Sequence, residues 1–110
     1  MAQKIIELVQ SDKLYKIDFT LKDADDAAIN LTNGTPVLKV QKQSGTALKF
    51  SGNCTVGTPL AGQCYYTVQA TDLDEYGDHY AEIEITYNDG KVITISDIVI
   101  KVKPQLPRTI

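Results

Sequence analysis

The sequence lacks most of the features that assign a function directly. Its 110 residues include no tryptophan, one histidine, one methionine and two cysteines. It contains no Walker sequence, no G-x-G-x-x-G run and no histidine or cysteine set with metal-ligand spacing. His79 stands beside Asp78 without a serine or cysteine nucleophile at a fixed spacing, so we expect a lone surface imidazole. These absences disfavour an enzyme and predict no metal and no cofactor.

Long apolar runs and an excess of positive charge are also missing. The longest apolar runs are two or three residues, such as Ile98-Val99-Ile100, whereas a bilayer span needs about 20. Eleven basic and fourteen acidic side chains give a formal charge of -3 and a pI near 5.0, which provides no basic surface for phosphate groups. Glu7 interrupts the apolar stretch that a signal peptide needs. We expect no nucleic-acid partner, no membrane contact and synthesis in the cytosol.

Strand-forming residues dominate what is present. Val, Ile, Thr, Tyr and Phe fit a pleated, half-buried surface, and no window repeats apolar residues at helical spacing. The clearest strand is Leu14–Leu21, in which apolar and polar residues alternate. Turns separate it from the other strand candidates, which are Lys4–Val9, Pro36–Gln43, Ala47–Phe50, Asn53–Gly57, Gln63–Ala70, His79–Asn88 and Lys91–Lys103.

Two local features refine this pattern. The segment Thr71–Gly77 has a capping threonine, early acidic residues and a closing glycine, which predict one short helical turn. In the last strand the inward parity changes between Ser96 and Asp97, which predicts a β-bulge or bend. Seven or eight short strands with regular turns predict an all-β antiparallel sandwich over residues 1–103. The two prolines in 104–110 predict a tail or arm.

Clustered acidic residues and the two cysteines have plain structural interpretations. Asp23, Asp25 and Asp26 lack the spacing of a calcium loop, so we expect a solvated turn. Cys54 and Cys64 lie on the two arms of one predicted hairpin. The sequence is compatible with a cross-strand disulfide and with a reduced buried pair. The absence of a secretion signal favours the reduced pair.

Tyr80 is the one residue with a recognisable structural position. It follows Gly77 at the start of a strand, as in the tyrosine corner of immunoglobulin-like sandwiches. Glu82 stands where an antibody domain would carry cysteine, so the chain is not an antibody domain. We expect Tyr80 to lock the corner through a hydrogen bond from its hydroxyl to the backbone.

Several segments resemble the immunoglobulin-like N-terminal domain of tailed-phage upper baseplate proteins. The similarity covers about residues 11 to 103, and the segments that carry it are 15–25, 29–34, 62–68, 71–73, 77–83 and 89–92. It implies a non-enzymatic structural protein of a phage virion, made in the host cytoplasm, whose sandwich attaches a fibre or receptor-binding element. Because the sequence stops after the sandwich, we expect a small capsid-decoration, head-fibre or tail-adaptor protein.

The expected contact regions are the sheet edges and the two ends of the chain. Ile5 and Ile6 at one end, and Leu106 and Ile110 at the other, are the candidate anchors for capsid, tail or fibre proteins and for further copies of the chain. A frayed carboxyl-terminal tail is the plain alternative. The alternative function is a carbohydrate- or host-surface-binding module, whose candidate aromatics are Tyr65, Tyr76 and Tyr80.

Overall fold

The structure is a computed structural model, and it describes residues 4–43, 45 and 47–104. Its strands are β1 (Lys4–Val9), β2 (Lys16–Thr20), β3 (Gly34–Lys42), β4 (Leu48–Asn53), β5 (Thr55–Val56), β6 (Gln63–Thr67), β7 (Gly77–Tyr87) and β8 (Val92–Lys103). A 3-10 helix, Pro59–Ala61, lies between β5 and β6. The prediction of an all-β protein of about eight strands is confirmed.

The strands form two sheets. One has five strands in the order β1-β8-β7-β3-β4, and the other has three in the order β2-β6-β5. Five of the six strand pairs are antiparallel, but β1 runs parallel to β8 with Lys4 opposite Ile98. The expectation of a purely antiparallel sandwich is therefore wrong for this pair. The physical reason is that β1 and β8 are not joined by a hairpin, so no turn fixes their relative direction.

The core lies between the inner faces of the two sheets. The three-stranded sheet contributes Ile17, Phe19, Cys64 and Tyr66, and the five-stranded sheet contributes residues that include Leu38, Val40, Ile83, Ile85, Ile98, Ile100 and Val102. His79 also faces inward and is fully buried, so the expectation of a surface imidazole is wrong. Its position in β7 has the same parity as Ala81 and Ile83, and the pleat carries it into the core with them.

The predicted bulge in the last strand is confirmed. Ala81 of β7 lies opposite Ile98 of β8, but Ile83 lies opposite Ile95, so β8 carries an extra residue in this interval. Asp97 takes up the distortion with a positive φ of 64°. As a result Ile93 and Ile95 face inward before the bulge, whereas Ile98 and Ile100 face inward after it.

The segment predicted to form a helical turn does not form one, and a helical turn forms in another loop instead. Thr71–Gly77 contains hydrogen-bonded turns, including one from Asp74 N to Thr71 O at 3.4 Å, but no helix. The Asp72 side chain points inward, where it accepts hydrogen bonds from the Tyr66 hydroxyl and from Gln69 N. This competes with helix formation because short polar side chains offer the backbone other partners. The helical turn that does form is Pro59–Ala61, in the loop predicted only as a hairpin connection.

Candidate interaction surface

One row of side chains crosses the outer face of the five-stranded sheet. The pairing places Ile5 opposite Val99, Val99 opposite Tyr80, Tyr80 opposite Gln41, and Gln41 opposite Leu48. Paired residues of neighbouring strands share a face, so these five side chains form one line from β1 to β4. We call these five residues the outer row.

The outer row is apolar except for Gln41, and three of its five members are accessible. Ile5 is 52% exposed, Tyr80 48% and Leu48 53%, while Val99 is buried between its neighbours. A shallow hollow of about 330 Å³ adjoins the row, lined by residues that include Leu48, Tyr80 and Val99. Contiguous exposed apolar side chains on a folded domain mark contact sites.

Charged residues border the outer row on both sides. On one side Glu7 lies opposite Lys101, and Lys101 lies opposite Asp78. On the other side Glu82 lies opposite Lys39. An apolar strip between charged margins is the layout of a protein contact, in which the centre is dry and the rim is polar.

The β-bulge creates this arrangement. If β8 kept the parity of Ile93 and Ile95, Val99 would face the core and Ile98 would face outward. The extra residue at Ser96 and Asp97 exchanges the faces, so Val99 joins Ile5 and Tyr80 on the outside. The parity change was visible in the sequence. The alignment of Val99 with Ile5, Tyr80 and Leu48 was not, because it depends on pairing between distant strands.

The residues singled out from the sequence as contacts lie in different places. Ile5 is in the outer row, whereas Ile6 is half-buried and packs against the core from the inner face of β1. Leu106 and Ile110 lie outside the described residues. The Tyr80 hydroxyl accepts a hydrogen bond from Gln43 Nε2 at 3.2 Å, so the contact observed for this hydroxyl is with a side chain rather than the backbone.

The three tyrosines proposed for glycan stacking do not gather on one face. Tyr65 lies opposite Asp18 on the outer face of the three-stranded sheet, with Lys16 Nζ 4.4 Å from its ring centre. Tyr80 lies on the outer face of the other sheet, and Tyr76 is in the loop before β7. The geometry therefore offers no aromatic platform at these residues.

The acidic loop is a turn held by its own side chain. Asp23 Oδ1 accepts hydrogen bonds from the backbone N–H groups of Asp25 at 2.9 Å and Ala27 at 3.0 Å, as the solvated-turn prediction requires. Within residues 4–43, 45 and 47–104, no three acidic, histidine or cysteine side chains cluster as metal ligands do. No helix in those residues is long and apolar enough to cross a membrane.

The cysteines are free and buried. The hydrogen bond to Cys64, together with burial, raises the pKa of the Cys54 thiol. The same contact lowers the pKa of the Cys64 thiol, against the effect of its burial. Cys54, between β4 and β5, and Cys64 of β6 both pack in the core, where burial limits the access of reagents to their sulfur atoms.

Comparisons with known proteins concern the family and the fold. The family model described as "BppU N-terminal domain" matches residues 1–109. No curated protein matches the chain. The crystal structure of CopC from Methylosinus trichosporium OB3b aligns with a TM-score of 0.54 and 13% sequence identity, over 98% of this chain and 91% of that one. At that identity the likeness to CopC shows the fold alone.

Proposed function

We propose a function for this chain from its family, because it belongs to the BppU N-terminal domain family. In this proposal the chain is an adaptor that attaches to a neighbouring virion protein through its outer row. Membership makes it a phage baseplate structural protein, and the family implies a place in the virion. The attachment role and its surface are our proposal, and the outer row is the observation that carries it.

The physical argument starts from the three exposed members of the row. Ile5, Tyr80 and Leu48 are each about half exposed, so covering them removes apolar surface from water. The gain is on the order of 1 kcal/mol for each side chain, since full burial contributes about 1.5–3 kcal/mol. Val99 fills the strip between Ile5 and Tyr80, and the polar Gln41 stands between Tyr80 and Leu48. A flat apolar strip with charged margins suits a protein surface better than a small ligand.

Particle assembly with variant chains tests the proposal. Tyr80→Glu and Leu48→Glu place a charge in the row, and we expect incorporation into particles to fall about tenfold or more because the charge must be desolvated. Tyr76→Glu is the matched control, since Tyr76 is also a tyrosine, is 59% exposed and lies in a loop away from the row.

The readout is the amount of chain in purified particles, with thermal melting to show that each variant folds. Normal incorporation of folded Tyr80→Glu and Leu48→Glu chains would overturn the proposal. Equal losses in the Tyr76→Glu control would do the same, because they would show that any added charge prevents assembly.

A further inference from the structure

Among the described residues, a second unpartnered region lies beside the part of β8 that precedes its pairing with β1. β1 pairs with β8 from Ile98 to Lys103 only, so Val92–Asp97 has no strand beside it on that side among the described residues. Val92–Ser96 contains no charged residue and is rich in β-branched types. Natural sheets usually protect such a stretch with charges, prolines or a covering segment. We call Val92–Ser96 the free edge.

An apolar groove runs along the free edge, between it and the segment that follows β2. One hollow of about 420 Å³ is lined by residues that include Ile29, Tyr87, Ile93 and Ile95. A second hollow of about 250 Å³ continues from it toward Lys4, and the two share Lys22, Asp23, Ile95 and Ser96 as lining residues. We call the two hollows together the lateral groove.

The lateral groove leaves inward-facing side chains partly uncovered. Ile93 and Ile95 point to the same side of the sheet as Ile98 and Ile100, which are buried beside β1. Ile93 and Ile95 have no neighbouring strand on this side within residues 4–43, 45 and 47–104, and they are only half-buried. An added strand would therefore satisfy the backbone of the free edge and complete the burial of both isoleucines, as in β-augmentation.

We propose that this strand is the segment 105–110 of a second copy of the chain. Its sequence, Gln-Leu-Pro-Arg-Thr-Ile, places Leu106, Arg108 and Ile110 on one side when extended. The two apolar ends match the isoleucines of the lateral groove, and Arg108 between them can pair with Asp23, which lines both hollows beside Lys22. Proline is acceptable here because it is found on edge strands.

Reach excludes the segment of the same copy. Leu106 is three residues past Lys103, so it lies at most about 11 Å beyond the end of β8. Ser96, the nearest residue of the free edge, is seven residues back along β8, or about 23 Å in the opposite direction. The groove that the segment can fill therefore belongs to a neighbour. Repeated head-to-tail contacts of this kind form rings or filaments, and a ring suits a part of a virion.

Sedimentation of the full isolated chain tests this inference. We expect concentration-dependent association, with backbone amides of Val92–Ser96 exchanging about tenfold more slowly in the associated state than after dilution. Leu106→Asp with Ile110→Asp should abolish both effects. Pro107→Asp with Thr109→Asp is the matched control, because it adds the same charge on the opposite side of the segment and should leave association in place.

Three results would overturn the inference. They are a chain that stays monomeric at millimolar concentration, association that survives Leu106→Asp with Ile110→Asp, and protection that appears at Tyr80 and Leu48 instead of at the free edge. The inference depends on the proposed function in one respect only, which is that the contact between copies takes place in a virion. Its test uses the isolated chain and changes no residue of the outer row, whose amides serve only as a readout, so either idea can fail without the other.

Discussion

The Tyr66 hydroxyl donates a hydrogen bond of 2.5 Å to Asp72 Oδ2, and both residues are buried. The same carboxylate oxygen accepts from Gln69 N at 2.9 Å. The Tyr66 ring stacks on Phe50 of the opposite sheet, with 5.7 Å between ring centres. Asp72 therefore fixes the loop between β6 and β7 to a tyrosine that joins the two sheets.

Removing the Asp72 carboxylate should destabilise the protein strongly. In Asp72→Ala the Tyr66 hydroxyl and the Gln69 amide lose their acceptor, and we expect the free energy of unfolding to fall by about 2–3 kcal/mol. Tyr66→Phe should cost about 1 kcal/mol, since it removes only one donor. Chemical denaturation measures both. Asp25→Ala, on the exposed acidic loop, is the control, and an equal loss there would contradict the role of Asp72.

Alkaline pH should destabilise the protein through the same pair. Burial, the hydrogen bond to Asp72 and the charge of Asp72 raise the pKa of Tyr66. Above about pH 10 the unfolded chain has lost this proton and the folded chain has kept it, so the free energy of unfolding falls as pH rises. The slope is about 1.4 kcal/mol per pH unit for one proton. Denaturation from pH 8 to 11 should show a shallower fall in Tyr66→Phe, and identical slopes would refute this assignment.

Replacing the buried histidine should stabilise the protein. His79 Nδ1 lies 3.1 Å from Gly77 O, but Nε2 is buried without a partner in the part of the chain that the structure describes. Leucine at this position removes an unsatisfied polar atom, so we expect His79→Leu to raise the free energy of unfolding by about 1 kcal/mol. Ile83→Val, in the same strand, should lower it by about 1 kcal/mol. A loss of stability in His79→Leu would contradict this prediction and show that the contacts of the imidazole, including the one with Gly77 O, outweigh the cost of the unpartnered Nε2.

Substituting two glycines, Gly62 and Gly90, should distinguish the cost of backbone strain from the cost of a steric clash. Gly62 ends the 3-10 helix with a φ of 69°, and a Cβ built there would lie 2.4 Å from Leu21 O and 3.1 Å from Ile29 O. Gly90 has a φ of 92° with open space around it. We expect Gly90→Ala to cost about 1–2 kcal/mol from strain alone and Gly62→Ala to cost clearly more. Similar melting temperatures for the two variants would contradict the clash.

The cysteines should be unreactive until the protein unfolds. Both are buried in the core, so we expect a thiol reagent to label neither in the native state within minutes. In denaturant both should react at once. Rapid labelling of one cysteine in the native protein would show that the segment joining β4, β5 and β6 opens locally.

Local sequence patterns were sufficient for the strands and the bulge. The alternation around Ile17 and Phe19 follows from the two-residue period of a strand, and the parity change at Ser96 and Asp97 required an extra residue in β8. The helical turn was misplaced because Asp72 looked like an exposed acid at a helix start. Its real partner, Tyr66, lies in the neighbouring strand, and a turn pattern contains no information about that contact.

The amino-acid sequence by itself determined that the protein is all-β and where its strands and turns fall, because side-chain alternation and turn chemistry act between near neighbours. Only the tertiary structure decided that Ile5, Val99, Tyr80 and Leu48 share one line, that His79 is buried, and that no strand of the described residues lies beside the free edge. These features depend on the register between strands far apart in the chain. Burying two sheet faces against each other sets that register, and no local window of sequence contains it.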